Sequence, residues 1–92
     1  MELTDTQLTE LEGLAGVFLS LQEIATIMQL DIEKLQIAAE NPASLIHQTI
    51  HRGRLKKKAE LRQIIFTMAM GGSAPAQNLA LKFMQKAEID AF

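Results

Sequence analysis

The segment LSLQEIATIMQLDIEKLQIAAEN, residues 19–41, contains two helix-start signals separated by a short interruption. Ser20 and Glu23 have the spacing of a capping box, in which the two residues exchange side-chain hydrogen bonds with each other's backbone N–H. Asp31 is a second N-cap candidate. Apolar residues recur at helical spacing after both caps. The segment therefore predicts two short helices joined by a tight turn, the helix-turn-helix arrangement.

The remainder of the chain also has helical patterning, and no segment alternates like a strand. Thr4 and Gln7 form another capping box, and Ser73 caps a last helix after Gly71-Gly72. Asn41-Pro42 ends the helix-turn-helix and starts a long helix, with proline at a tolerated first position. We predict an all-α fold of four to five helices in a single helical domain, residues 1–92. The expected bounds are 20–40 for the helix-turn-helix, 43–70 for the long helix and 74–89 for the C-terminal helix.

Apolar positions within these helices define the expected core. They are Leu8, Leu11, Ala15 and Phe18 in the first helix, Ile24, Ala25, Ile27 and Met28 in the second, and Ile32, Leu35 and Ala39 in the third. A chain of 92 residues buries only a modest core, so a partner chain would add stability.

Composition narrows the class of protein. The chain has no cysteine, which excludes disulfides and thiolate metal sites. Its start, MELTDTQLTE, is acidic and polar, unlike a signal peptide. The longest apolar runs, LAGVFL and IIFTMAM, are much shorter than a membrane span. We therefore expect a soluble intracellular protein that does not enter a membrane.

The charge is distributed unevenly along the chain. Residues 1–44 contain eight carboxylates and one lysine, a net charge of −7. Residues 45–92 contain eight Lys/Arg and three carboxylates, a net charge of +5. Such an asymmetry favours a basic surface for a polyanion, or two halves that attract each other between molecules.

The positive charge is concentrated in HQTIHRGRLKKKAELR, residues 47–62. On an α-helix, five of these residues fall within an arc of about eighty degrees. They are His47, His51, Arg54, Lys58 and Arg62, flanked by Arg52 and Lys56. The opposing apolar stripe comprises Ile46, Ile50, Leu61, Ile64 and Met68. The basic stripe predicts a surface that follows DNA phosphates, and the alternative is an ordinary solvated helix face.

The second helix of the helix-turn-helix, DIEKLQIAAE, is acidic. In the usual docking geometry its exposed residues would approach base edges, and Gln36 could recognise adenine. Only Lys34 could contact a phosphate, so this helix is interpreted mainly as structural support. Lys34 and Gln36 remain candidate DNA-binding residues.

No residue pattern indicates catalysis. His47 and His51 have a spacing compatible with zinc, but no third ligand lies nearby in the sequence, and no metal or cofactor is expected. Neither a nucleophile with its base nor a glycine-rich phosphate loop is present. The chain is therefore not expected to be an enzyme.

The end of the long helix, LRQIIFTMAM, is apolar on nearly all sides. Either it enlarges the chain's own core or it forms an interface between subunits, for which flexible methionines are well suited. The expected interface residues are Ile64, Ile65, Phe66, Met68, Met70 and Phe83. If the acidic half of one copy contacts the basic half of the next, the contact is head-to-tail and closes into rings.

Residues 4–86 resemble the helix-turn-helix domain of phage terminase small subunits and related prophage DNA-binding proteins. The matching residues are Ser20, Glu23, Ile24, Ala25 and Leu30, followed by GGSAPAQNLALKFMQK. The chain departs from the family at Gln29, the turn position where a positive φ makes glycine common. It is also shorter than many members of the family.

The resemblance implies a non-enzymatic protein that recognises double-stranded DNA for viral packaging. It also implies a homo-oligomer that presents DNA to a large terminase subunit in the cytoplasm of a bacterial host cell. Two alternatives remain. The chain could be a helical protein-interaction adaptor whose basic stripe binds an acidic protein, or a small helix-turn-helix transcription regulator.

Overall fold

A computed structural model describes residues 1–90 and contains five α-helices in that range, with no strand among them. The helices are α1 (Asp5–Gly16), α2 (Leu21–Met28), α3 (Ile32–Glu40), α4 (Leu45–Met70) and α5 (Ala74–Ile89). The predicted all-α fold is therefore confirmed. None of these helices is both long and apolar enough to cross a membrane. The chain divides into two compact units, unit 1 (Met1–Lys57) and unit 2 (Lys58–Phe92).

The helix starts follow the predicted capping residues. Thr4 and Gln7 form a reciprocal capping box on α1, with distances of 2.8 and 3.1 Å. Ser20 and Glu23 do the same on α2, and the backbone N–H of Ser20 donates to Glu23 at 2.9 Å. This bond holds the pKa of the Glu23 carboxyl below its usual value. The Asp31 carboxylate accepts from two backbone N–H groups at the start of α3.

The turn between α2 and α3 passes through Gln29, which has φ 56° and ψ 47°. The predicted positive φ at this position is confirmed. The next residue, Leu30, donates its backbone N–H to the carbonyl of Ala25 at 2.9 Å, which closes the end of α2. This left-handed residue turns the chain from α2 into α3.

The core of unit 1 is built by α1 to α3 and the first turns of α4. Its buried members are Leu11, Ala15, Ile24, Ala25, Leu35, Ile46 and Ile50. Two predicted core residues are exposed instead: Phe18 by 51% and Ile27 by 52%. Phe18 leaves the apolar stripe because α1 ends at Gly16. Ile27 lies on the side of α2 turned away from Ala25, outside the narrow buried face of this short helix.

Helix α1 approaches α4 closely at two glycines. Gly53 is buried, and a Cβ there would overlap the backbone carbonyl oxygen of Glu12 and lie 3.3 Å from the Cβ of Ala15. A Cβ on Gly16 would lie 3.3 Å from the carbonyl oxygen of Gly53. Gly53 is therefore required for helix packing in unit 1.

Helix α4 begins two residues later than the predicted position 43, at Leu45. The side chain of Asn41 accepts from the backbone N–H of Ala43 at 3.1 Å, and its carbonyl accepts from Ser44 at 2.9 Å. These bonds form a turn that includes Pro42, so proline precedes the helix and does not start it. The hydroxyl of Ser44 accepts from the backbone N–H of His47 at 3.0 Å, as an N-cap does.

Unit 2 contains the end of α4, a glycine turn and α5, which has its predicted bounds of 74–89. Gly72 adopts φ 102°, and Ser73 donates its backbone N–H to the carbonyl of Met68 at 3.1 Å. This pattern is a Schellman motif, which needs a residue with positive φ after the helix. Among the described residues of unit 2, which end at position 90, the buried ones are Ala69, Ala76 and Ala80, with Ile65 packed against them.

Most large apolar side chains of unit 2 are exposed. Ile64 is 57% exposed and Met70 is 88% exposed, and Leu61 and Met68 are also more than half exposed. These side chains therefore lie outside the core of unit 2. LRQIIFTMAM contributes to the chain's own core only through buried Ala69 and through Ile65, which packs against it. The position of the exposed side chains in the predicted stripe opposite the basic residues does not bury them, because the small alanine core of unit 2 does not extend to them.

Candidate nucleic-acid interface

Three of the predicted DNA-binding residues line one groove in unit 1. His47, His51 and Arg54 come from successive turns of α4. The rest of the groove is formed by Leu21, Ala39, Glu40 and Ile50. Helical spacing of four and three residues places the two imidazoles and the guanidinium along one side of α4. The groove thus has three groups that can be cationic, and Glu40 is the one carboxylate among its lining residues.

His47 is anchored to the end of α3. Its Nδ1 lies 2.6 Å from the carbonyl oxygen of Ala39, so Nδ1 carries the proton and donates. The Ser44 hydroxyl donates to the neighbouring carbonyl of Ala38. Both carbonyl groups lie in the last turn of α3, where a helix leaves carbonyls short of partners, and that of Ala38 also accepts from the backbone N–H of Asn41. The imidazole of His47 is therefore half-buried and held in place, and its Nε2 is the nitrogen left for a ligand.

His51 and Arg54 continue the groove with planar side chains. The imidazoles of His47 and His51 are stacked, with centroids 6.2 Å apart and an interplanar angle of 22°. The guanidinium carbon of Arg54 lies 5.8 Å from the ring centroid of Phe18, within the range of a cation–π contact. The Nε of Arg54 is buried without a hydrogen-bond partner among residues 1–90.

Phe18 occupies an unusual backbone conformation. Its φ is 61°, and its backbone N–H donates to the carbonyl of Ala15 at 2.9 Å just after α1. A left-handed conformation costs a residue with a Cβ roughly 1 kcal/mol, and bulky residues are uncommon there. The ring contacts Arg54 while half of the side chain stays exposed.

Lys56 is paired within the protein. Its Nζ lies 2.7 Å from Oε1 of Glu12 on α1. The hydrogen bond from Lys56, with added attraction from Lys56 and Arg52, holds the pKa of the Glu12 carboxyl below its usual value. Lys56 therefore has a carboxylate partner that a phosphate would have to displace. Arg52 is exposed.

Lys34 and Gln36 lie on α3 and not among the lining residues of the groove. Both are exposed, and Lys34 borders a different concavity together with Ile37, Ala38 and Asn41. Ile37 is exposed on the same helix. The outer surface of α3 thus combines an exposed isoleucine with acidic neighbours, which differs from the basic surface expected of a helix that enters a DNA groove.

The remaining basic candidates belong to unit 2. Lys58 is exposed. The guanidinium carbon of Arg62 lies 4.7 Å from the ring centroid of Phe83. Phe83 in turn lies 6.5 Å from Phe66, measured between centroids, at an interplanar angle of 55°. Phe66 and Phe83, both predicted interface residues, therefore contact each other within unit 2. In residues 1–90, no group of three His, Cys, Asp or Glu side chains has a geometry that could hold a metal ion.

Sequence patterns did not identify three residues that shape this site. Ser44 caps α4, Glu12 pairs with Lys56, and Phe18 contacts Arg54. The S-x-x-H spacing of Ser44 and His47 was a usable signal, because serine is a favoured N-cap. The other two contacts join residues far apart in the sequence and have no local signal.

Comparisons with protein-family models, curated proteins and solved structures find no match to this chain.

Proposed function

We propose that this chain is a non-enzymatic DNA-binding protein, of the kind that phage terminase small subunits exemplify, which holds double-stranded DNA by its phosphates. The observation that carries the proposal is the groove of unit 1, where His47, His51 and Arg54 lie together on α4. Arg52 is exposed nearby in sequence, and Lys58 and Arg62 of unit 2 add further positive charge. Phosphate contacts from such side chains supply most of the affinity of non-specific DNA binding.

Electrostatics favours α4 over α3 as the DNA-binding helix. Residues 51–62 contain six Lys/Arg and one glutamate, a net charge of +5 with His51 neutral. Residues 31–40 contain three carboxylates and one lysine, a net charge of −2. Phosphates would be repelled by α3 and attracted by α4. We assign α3 the role of support, through buried Leu35 and the carbonyl groups that hold Ser44 and His47.

Binding through phosphates predicts a steep salt dependence and little sequence preference. Four contacts, from Arg52, Arg54, Lys58 and Arg62, would lower the affinity by about 100-fold between roughly 50 and 200 mM salt. Fluorescence anisotropy with two labelled duplexes of unrelated sequence measures both properties. Absence of binding to either duplex at the lower salt concentration would contradict the proposal.

We also propose that the chain forms a homo-oligomer through the exposed apolar residues of unit 2. The described residues of unit 2 bury three alanines, and pieces of below about 40 residues usually need disulfides, metals or association to be stable. The chain has no cysteine. Burial of Ile64 and Met70 against a second copy would provide the missing apolar contacts.

Replacing both Ile64 and Met70 by glutamate should therefore dissociate the oligomer, because charged side chains are costly to bury in an apolar interface. Light scattering at high micromolar concentration would report the change in mass. Ile27→Glu is the control: Ile27 is exposed to nearly the same extent as Ile64 (52% against 57%) but lies in unit 1, so this variant should keep the wild-type mass. A wild-type monomer at that concentration would contradict the proposed association.

The same apolar surface favours a second candidate function, a helical adaptor that binds another protein and no DNA. The two functions differ in the duplex-binding experiment above, which the adaptor would fail. Under the leading proposal, the partners are double-stranded DNA, further copies of the chain and a large terminase subunit, in the cytoplasm of a bacterial host cell. Copurification with a large terminase subunit, lost in the variant of Ile64 and Met70, would support the packaging role.

A further inference from the structure

Four planar side chains lie near one another on the surface of unit 1. His47 stacks with His51, and Arg54 lies over the ring of Phe18. His47, His51 and Arg54 are successive members of one side of α4 and line the same groove. Neutralising phosphates requires positive charge but not flat rings. The row of two imidazoles, a guanidinium and a phenyl ring also offers flat faces on which a planar ligand could stack, and phosphate binding does not use these faces.

The ring of Phe18 has no role in the core of unit 1. It is absent from the buried cluster, it is half-exposed, and its backbone is held in the left-handed region, where glycine or asparagine would be less strained. Its contact is with the guanidinium of Arg54. The strained conformation thus places an aromatic ring on the surface beside a cation.

One member of the row, His47, is held in position before any ligand binds. The Nδ1 of His47 donates to the carbonyl of Ala39, and the backbone N–H of His47 donates to Ser44. The first bond fixes the orientation of the His47 ring, and the His51 ring lies nearly parallel beside it. Groups that are already ordered lose less conformational entropy when they bind a ligand.

We infer that this row binds unpaired bases of single-stranded DNA, which stack on the exposed rings while Arg54 and its basic neighbours neutralise the phosphates. The inference rests on the proposed function, because it uses the same basic residues. In a duplex the faces of the bases are covered by their neighbours, whereas an unpaired base offers its face to an aromatic ring or a guanidinium. Glu40 is the carboxylate among the residues that line the groove. It repels phosphates, and it can accept a hydrogen bond from the amino group of a base.

The test compares three labelled probes of equal phosphate number: oligothymidine, an abasic strand and a duplex. Anisotropy titrations at low salt should give about tenfold tighter binding of oligothymidine than of the abasic strand, as expected for one stacked base. Phe18→Leu keeps an apolar side chain but removes the ring, so it should lower the preference for oligothymidine over the abasic strand, with His47, His51 and Arg54 still present. Duplex affinity should fall less than the affinity for oligothymidine, and Phe18→Tyr should retain the preference.

Val17→Ala is the matched control, since Val17 is the exposed apolar neighbour of Phe18 and has no place in the row. Circular dichroism would establish that each variant is folded. Equal binding of oligothymidine and the abasic strand, or an equal loss on all three probes in Phe18→Leu, would overturn the inference while the duplex-binding proposal stands. Absence of binding to every probe would overturn both.

Discussion

Replacing Gly53 by alanine is expected to destabilise unit 1 by about 3 kcal/mol, the upper part of the usual range for overpacking. The new Cβ would overlap the backbone carbonyl oxygen of Glu12, and a backbone atom cannot move aside as the end of a side chain can. Helices α1 and α4 would have to separate, which would loosen the core around Leu11 and Ile50. Urea unfolding followed by circular dichroism measures the free energy of unfolding.

Gly13→Ala provides the control for this prediction. Gly13 also lies within a helix, but a Cβ there would meet no atom within 4 Å. Alanine should therefore stabilise the protein by about 0.5–1 kcal/mol through its higher helix propensity. The sign of the effect thus differs between the two glycines. Equal stabilisation by both substitutions would show that α1 and α4 do not approach each other at Gly53.

Helix starts were predictable from sequence because capping is a local interaction. Thr4, Ser20, Asp31 and Ser73 each bond to a backbone group two or three residues ahead. The exposure of the Phe18 and Ile27 side chains could not be predicted from local sequence patterns. The first depends on where α1 ends, and the second on how wide a face of α2 its neighbours cover. The role of Gly53 depends on the position of α1, which no local pattern around Gly53 indicates.

The candidate site was predictable in its chemistry but not in its arrangement. Residue types and spacing identified His47, His51 and Arg54 as members of one basic stripe, and the groove brings these three together. Spacing could not indicate that His47 is anchored to Ala39 or that Lys56 is paired with Glu12. Both contacts are tertiary. Because of them, the basic residues of positions 47–62 are not equivalent: His47 is anchored, Lys56 is paired, and Arg52 and Lys58 are exposed.

Reversing the charge of Arg54 and Lys58 to glutamate is expected to abolish binding of duplex DNA, a loss of about 100-fold or more at low salt. Each substitution removes a cation and adds an anion, so the net charge of residues 51–62 falls from +5 to +1. Both side chains lie on α4, and neither belongs to the buried core. The variant should therefore keep its helical content, which circular dichroism can verify.

Gln36→Ala is the corresponding change on α3. Gln36 is exposed and outside the groove, so its loss should leave both affinity and salt dependence nearly unchanged. If α3 instead entered the major groove and Gln36 contacted an adenine, the substitution would cost about 1–3 kcal/mol and relax sequence preference. The two variants thus distinguish the two helices as DNA-binding elements.

The most direct measurement is the affinity of one labelled duplex for the wild-type protein, the Arg54→Glu/Lys58→Glu variant and Gln36→Ala, titrated side by side by anisotropy at low salt. Binding through the basic residues of α4 predicts that the wild-type protein and Gln36→Ala bind alike and that the charge-reversed variant does not bind. Loss of binding in Gln36→Ala, with full binding by the charge-reversed variant, would contradict this assignment.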